Sequence, residues 1–135
     1  MNNIKMPFFT LLAFLVLSPT YAQRGKESIK DEIVRLNKLC ESSAHKSIFS
    51  VSNSDLLKRK SNNNYECEFR ISDITELKKH NNGFYKDLLI LTKPRKVSVL
   101  YQGKKTKGSI TVISFASEVD RDRALELFIN LAGID

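Results

Sequence analysis

Apolar residues recur at Ile29, Ile33, Leu36 and Cys40, three or four positions apart, which is one stripe of a helix. The spacing predicts an amphipathic helix from Lys26 to about Ser43, with Lys30, Asp31, Lys38 and Glu41 mostly off the stripe. Beyond it the period falls to two. Ser47 to Val51 (SIFSV) reads as a short strand, and Leu56-Leu57 belongs either to a second strand or to a loop. Ser61 to Asn64 (SNNN) is a turn cluster. Tyr65 to Ser72 (YECEFRIS) is the cleanest alternation: Tyr65, Cys67, Phe69 and Ile71 face one way, and Glu66, Glu68, Arg70 and Ser72 the other. Asp73 to His80 reads as one or two helical turns, although the Asn82-Gly83 pair that follows also suits a hairpin. Asp87 to Thr92 (DLLILT) is the continuous apolar run of a strand covered on both sides. Val97 to Tyr101 and Ser109 to Phe115 read as strands joined by Gln102 to Gly108.

Ser117-Glu118-Val119-Asp120 is a capping-box pattern with Asp in the last place. It opens a helix running to about Ala132, with Ala124, Leu127, Phe128 and Leu131 inward and Arg121, Asp122, Arg123 and Glu126 outward. Gly133 is the stop. The order is helix, five or six antiparallel strands, helix. Clustered strands with short connections point to an α+β fold.

The pieces YECEFRISDI, LLILT, VSVLYQGKK, ITVISF and DRDRALELFINLAG together resemble PH-like modules of exported bacterial proteins. The resemblance covers Tyr65 to Gly133. It implies an antiparallel sheet or small open barrel closed by the last helix, and a binding or accessory role. The N-terminal helix lies outside it.

The start of the chain has a different character. Lys5 precedes the apolar run Phe8 to Leu17, Ser18-Pro19 breaks it, and Thr20-Tyr21-Ala22 offers small residues before Gln23. This reads as a signal peptide over 1–22, leaving 23–135 as one α+β domain that is secreted or periplasmic. The run of about ten residues is too short to span a bilayer as a helix, and no later stretch matches it, so no transmembrane segment is expected in the mature chain. In an oxidising compartment the only two cysteines, Cys40 and Cys67, read as one disulfide. Helix phase puts Cys40 inward and strand phase puts Cys67 inward, so the bridge would tie the first helix across the sheet.

Charge adds a second feature. The formal net charge is +7, with Lys5 in the leader contributing one of these. Either a solubilising excess of lysine or an anionic partner accounts for it. Lys93, Arg95 and Lys96 flank one end of the strand Val97 to Tyr101, and Lys104, Lys105 and Lys107 the other. About 17 Å separates the ends of such a strand, so the two groups do not merge into one groove. They are the candidate anion contacts. Lys58-Arg59-Lys60 and Lys78-Lys79 join one end or the other.

No catalytic set is legible. Ser43 to Lys46 matches S-x-x-K without its partner motifs, and Gly103 to Thr106 lacks the leading glycine of a phosphate loop. Cys40, His45, Cys67 and His80 have the ligand count for zinc but not the spacing. The expectation is therefore no enzyme activity, no cofactor and no metal. Nucleic acid is disfavoured, because aromatics are not interleaved with the basic groups. The leading expectation is a binding domain for another protein. The alternative is a binder of anionic lipid headgroups or acidic glycans through the Lys-rich tips.

Overall fold

A computed structural model of the chain describes residues 29–53 and 55–134. The expected signal peptide, and the start of the first helix at Lys26, lie outside the described residues. By its internal contacts the chain divides into 1–31 and a body Glu32–Asp135. The first helix, α1, spans 29–40.

Two antiparallel sheets and two helices make the described fold. Strands β1 (Ser47–Ser52), β2 (Leu56–Ser61), β3 (Tyr65–Arg70), β6 (Val97–Tyr101) and β7 (Lys104–Gly108) form a five-stranded sheet in the order β1-β2-β3-β6-β7. Strands β4 (Ile74–Asn81), β5 (Lys86–Thr92) and β8 (Ile110–Phe115) form a three-stranded sheet in the order β4-β5-β8. Helix α2 (Glu118–Ala132) packs against the three-stranded sheet. The α+β class is as the pattern predicts. The strands number more than five or six, and the two sheets do not close into a barrel.

Two strands depart from their sequence reading. The segment expected to be helical is β4, entered through a 3-10 turn at Ile71–Asp73. Only Ile74 of β4 is fully buried, so an edge strand with one wet face leaves little apolar signal. The expected connector Gln102 to Gly108 is a two-residue turn followed by β7. Gln102 and Gly103 both have positive φ, 51° and 76°, as the twist-matched hairpin turn requires.

The first helix ends at residue 40, short of the expected Ser43, whereas both ends of α2 are as predicted. Ser117 accepts the Asp120 amide at 3.1 Å, and Gly133 closes α2 in the left-handed region. Ala124, Leu127 and Phe128 are buried on α2, and Phe128 meets Phe49 of β1 edge-on at 6.0 Å. Arg121, expected on the wet face, is buried instead. It bonds Asn81 Oδ1 at 2.7 Å and Glu118 Oε1 and Asp122 Oδ1 at 3.2 Å each, tying α2 to the end of β4.

Ile33, Leu36 and Cys40 of α1 are buried as the stripe requires. A polar contact fixes the helix against β1: Asn37 accepts from the Phe49 amide at 2.6 Å and donates to the Phe49 carbonyl at 2.9 Å. One side chain thus satisfies both outward-facing backbone groups of Phe49 at that sheet edge.

Cys40 and Cys67 both lie in the core, yet they are free thiols and not a cystine. Periodicity placed each on the correct face. It could not fix their separation along the interface. The Cys67 sulfur faces Thr111 Oγ1 of β8 at 3.6 Å. Arg59 of β2 also links the sheets. Its Nε donates to Ser47 Oγ at 3.0 Å, and its Nη1 donates to Thr111 Oγ1 at 2.9 Å and to the Val112 carbonyl at 2.7 Å. The guanidinium lies 5.3 Å from the Tyr65 ring centroid and 5.9 Å from that of Phe49, in cation–π range. Burial pushes the Cys40 thiol up to about 12, against the opposing charge of Arg59.

Candidate functional site

Side chains of a strand alternate, so the five-stranded sheet has one face in the core and one outside. The register aligns the outer face in rows. Lys58 lies opposite Glu68, Glu68 opposite Ser98, and Ser98 opposite Lys107. The next row runs Lys60, Glu66, Leu100, Lys105. Read across the strands, this is a lysine column, a glutamate column, a Ser/Leu column and a second lysine column. Neighbouring columns are about 4.8 Å apart.

These residues line a trough of about 860 Å³, to which Arg95 also contributes. Lys58 and Lys60 reach the glutamates, at 3.7 Å to Glu68 and 3.8 Å to Glu66. Both pairs are exposed, so each stabilises the fold by at most about 1 kcal/mol and is open to exchange with a partner. Arg95, Lys105 and Lys107 have no acidic partner among the described residues. Arg95 sits in the turn between β5 and β6 with φ 61°, and its amide donates to Ser109 Oγ at 2.9 Å. An arginine held in the left-handed region is a local cost that the surrounding structure overcomes.

The candidate anion contacts thus divide. Arg95, Lys105 and Lys107 come together on one face, joined by Lys58 and Lys60 across the sheet. This corrects the expectation of two separate groups. The cause is β7, which folds back beside β6 and carries its lysines over the length of the strand instead of holding them at a tip. Lys93 instead pairs with Asp73 at 3.8 Å. Lys104, on the opposite face of β7, borders a smaller recess with Tyr65 and Tyr101. Lys96 is exposed in the β5–β6 turn, outside the trough.

A second recess of about 600 Å³ lies between α1 and α2. Glu32, Asp120 and Glu126 are balanced there by Arg35, Lys38 and Arg123, so it has no preference of charge.

A Ser–Asp–His cluster that the sequence did not reveal joins the three-stranded sheet. Buried Asp87 accepts from Ser114 Oγ at 2.7 Å and from Asn82 Nδ2 at 3.1 Å, and its Oδ2 lies 3.3 Å from His80 Nδ1. The order of contacts is wrong for nucleophilic catalysis. The carboxylate stands between the hydroxyl and the imidazole, so the His80 ring does not reach the serine. Its role is to lock β4, β5 and β8 together. Ser43 of the S-x-x-K match is buried against the Cys40 carbonyl at 2.6 Å, beyond the end of α1, while Lys46 is exposed. The zinc set is not gathered: among the described residues no three His, Cys, Asp or Glu side chains converge on one point.

Among the described residues no helix is long and apolar enough to cross a membrane. No family model matches the chain, and no curated protein or solved structure matches it significantly.

Proposed function

We propose that the chain is an exported, non-enzymatic binding module, and that the outer face of its five-stranded sheet contacts another protein. The observation that carries this reading is the order of charges: Glu66 and Glu68 form a column inside two columns of lysine. A polyanion laid across the trough meets carboxylates at its centre. A protein surface answers a mixed pattern, with acidic groups over β7 and a basic group over β3. Leu100 and the exposed Ile48 on the same face add apolar area to such an interface. The leader-like start supports an extracytoplasmic setting, and the resemblance to PH-like modules supports a binding role. Buried free thiols tolerate that setting, because oxidation requires access and thiolate character.

The second reading, an anionic lipid or glycan surface, draws on Arg95, Lys105 and Lys107, which have no acidic partner among the described residues. Two charge reversals separate the readings. Glu66→Lys with Glu68→Lys, and Lys105→Glu with Lys107→Glu, are compared for binding to a crosslinked and purified protein partner. They are also compared for binding to vesicles of phosphatidylglycerol and phosphatidylcholine. A protein partner is lost by both variants. An anionic surface is lost by the lysine reversal and bound more tightly by the glutamate reversal. The second pattern, with no protein partner recovered, overturns the leading reading.

A further inference from the structure

Arg59 is charged, 5% exposed, and without a counter-ion. No carboxylate pairs with it among the described residues. The acidic groups that act on it are Cys67, Tyr65 and Cys40. Cys40 is held neutral by burial, which also raises Tyr65. A buried ion costs several kcal/mol even after relaxation, and buried charges are ordinarily paired. Hydrogen bonds from Nε and Nη1, and two aromatic faces, offset part of that cost. Nη2 makes no hydrogen bond among the described residues.

Arg59 also borders a recess of about 240 Å³ between the edge of β8 and the β2–β3 turn. Thr111, Tyr65 and Ser61 supply hydroxyls on its polar side, and Ile110 and Val112 form an apolar wall. No lysine lines it. On its outer side β8 is otherwise engaged further along: the Ser114 carbonyl takes the Ala44 amide at 2.8 Å, and Ser43 bridges Phe115. At Val112 that pairing gives way to Arg59.

We infer that this recess is a carboxylate-binding site, in which a monoanionic head meets Arg59 beside the hydroxyls of Thr111 and Tyr65 and a short aliphatic tail lies on Ile110 and Val112. One guanidinium matches one negative charge. No lysine or second arginine lines the recess, so beside the guanidinium only the His45 imidazole is available to the second charge of a phosphate dianion. The volume is below the usual range for drug-sized ligands, which limits the tail to a few carbons. The head belongs either to a free short-chain acid or to the C-terminus of a peptide, and both present the same chemistry.

The test is NMR titration of the full mature chain, following the Arg59 side-chain Nε–H and the Thr111 and Val112 amides. The probes are butyrate, methyl butyrate, inorganic phosphate, and an Ala-Ile dipeptide with a free or an amidated C-terminus. Butyrate or the free dipeptide should give saturable shifts with Kd on the order of 1 mM, and the neutral ester and amide none. Whichever acid binds more tightly identifies the source, and either result supports the site. Because Arg59→Met risks unfolding the protein, the deciding variant is Ile110→Glu on the exposed wall. It should weaken butyrate binding about tenfold while leaving the fold intact. The inference is overturned by non-saturating shifts, by phosphate binding more tightly than either acid, or by unchanged affinity in Ile110→Glu.

Discussion

Replacing Asn37 with Ala removes the clamp between α1 and the edge of β1. The side chain satisfies the Phe49 amide at 2.6 Å and the Phe49 carbonyl at 2.9 Å, and among the described residues no second side chain bonds either group. Two hydrogen bonds contribute about 1 kcal/mol each, and burial of the orphaned backbone groups adds about 1 kcal/mol more. Asn37 is half-buried, so water recovers part of that addition. Ala also gains about 0.5 kcal/mol over Asn in intrinsic helix propensity. The net expectation is a loss of about 2 kcal/mol. Urea unfolding reads it as a lower midpoint at unchanged slope, and hydrogen exchange reads it as faster exchange at the Phe49 amide. Asn37→Asp keeps an acceptor for the amide but sets a carboxylate oxygen against the Phe49 carbonyl, so it should cost at least as much. A loss under about 0.5 kcal/mol in Asn37→Ala, with Phe49 as protected as before, would refute the clamp.

Three further outcomes follow from local geometry. Arg95→Gly relieves a left-handed φ of 61° and should gain about 0.5–1 kcal/mol in thermal or urea unfolding while weakening partner binding; a loss of stability contradicts it. Both thiols should resist a soluble thiol reagent in the native protein and react on unfolding, and intact mass should show two free thiols; native reactivity or a two-proton mass deficit contradicts the core placement. The Asp55 carboxyl is held below its ordinary range by the Ser72 hydroxyl first and by Arg70, each at 2.7 Å. Its stabilisation is therefore present above the unfolded value near pH 4 and lost as pH falls through the lower folded value. Asp55→Asn should flatten the acid limb of stability against pH, and an unchanged limb rules this linkage out.

What was legible in the sequence was phase. The i, i+3, i+4 stripe placed Leu36 and Cys40 in the core, and the alternation of YECEFR placed Cys67 and Phe69 there. The capping box and Gly133 set the bounds of α2, because caps are local chemistry. What failed was whatever depended on neighbours. β7 is Lys-Lys-Thr-Lys-Gly and buries nothing fully, so no hydrophobic period announces it; only its pairing with β6 makes it a strand. Arg59 and Arg121 stand in charged runs that read as solvated, yet both are buried on bonds to residues 52 and 40 positions away. The cystine failed for a related reason. Two inward phases prove a shared core, not adjacency within it. The trough was hidden with β7, since its two lysine columns are far apart in the chain and meet only across the register of four strands.

The central claim is that the outer face of the five-stranded sheet is the side that meets a protein. Its most direct measurement is site-specific photo-crosslinking in the native compartment, with the probe at Ser98 on the trough floor and, as control, at exposed Val119 on α2. The account predicts one discrete protein adduct from Ser98, abolished by Lys105→Glu with Lys107→Glu, and no such adduct from Val119. An adduct from Val119 alone, or a Ser98 adduct that the double reversal leaves unchanged, contradicts it.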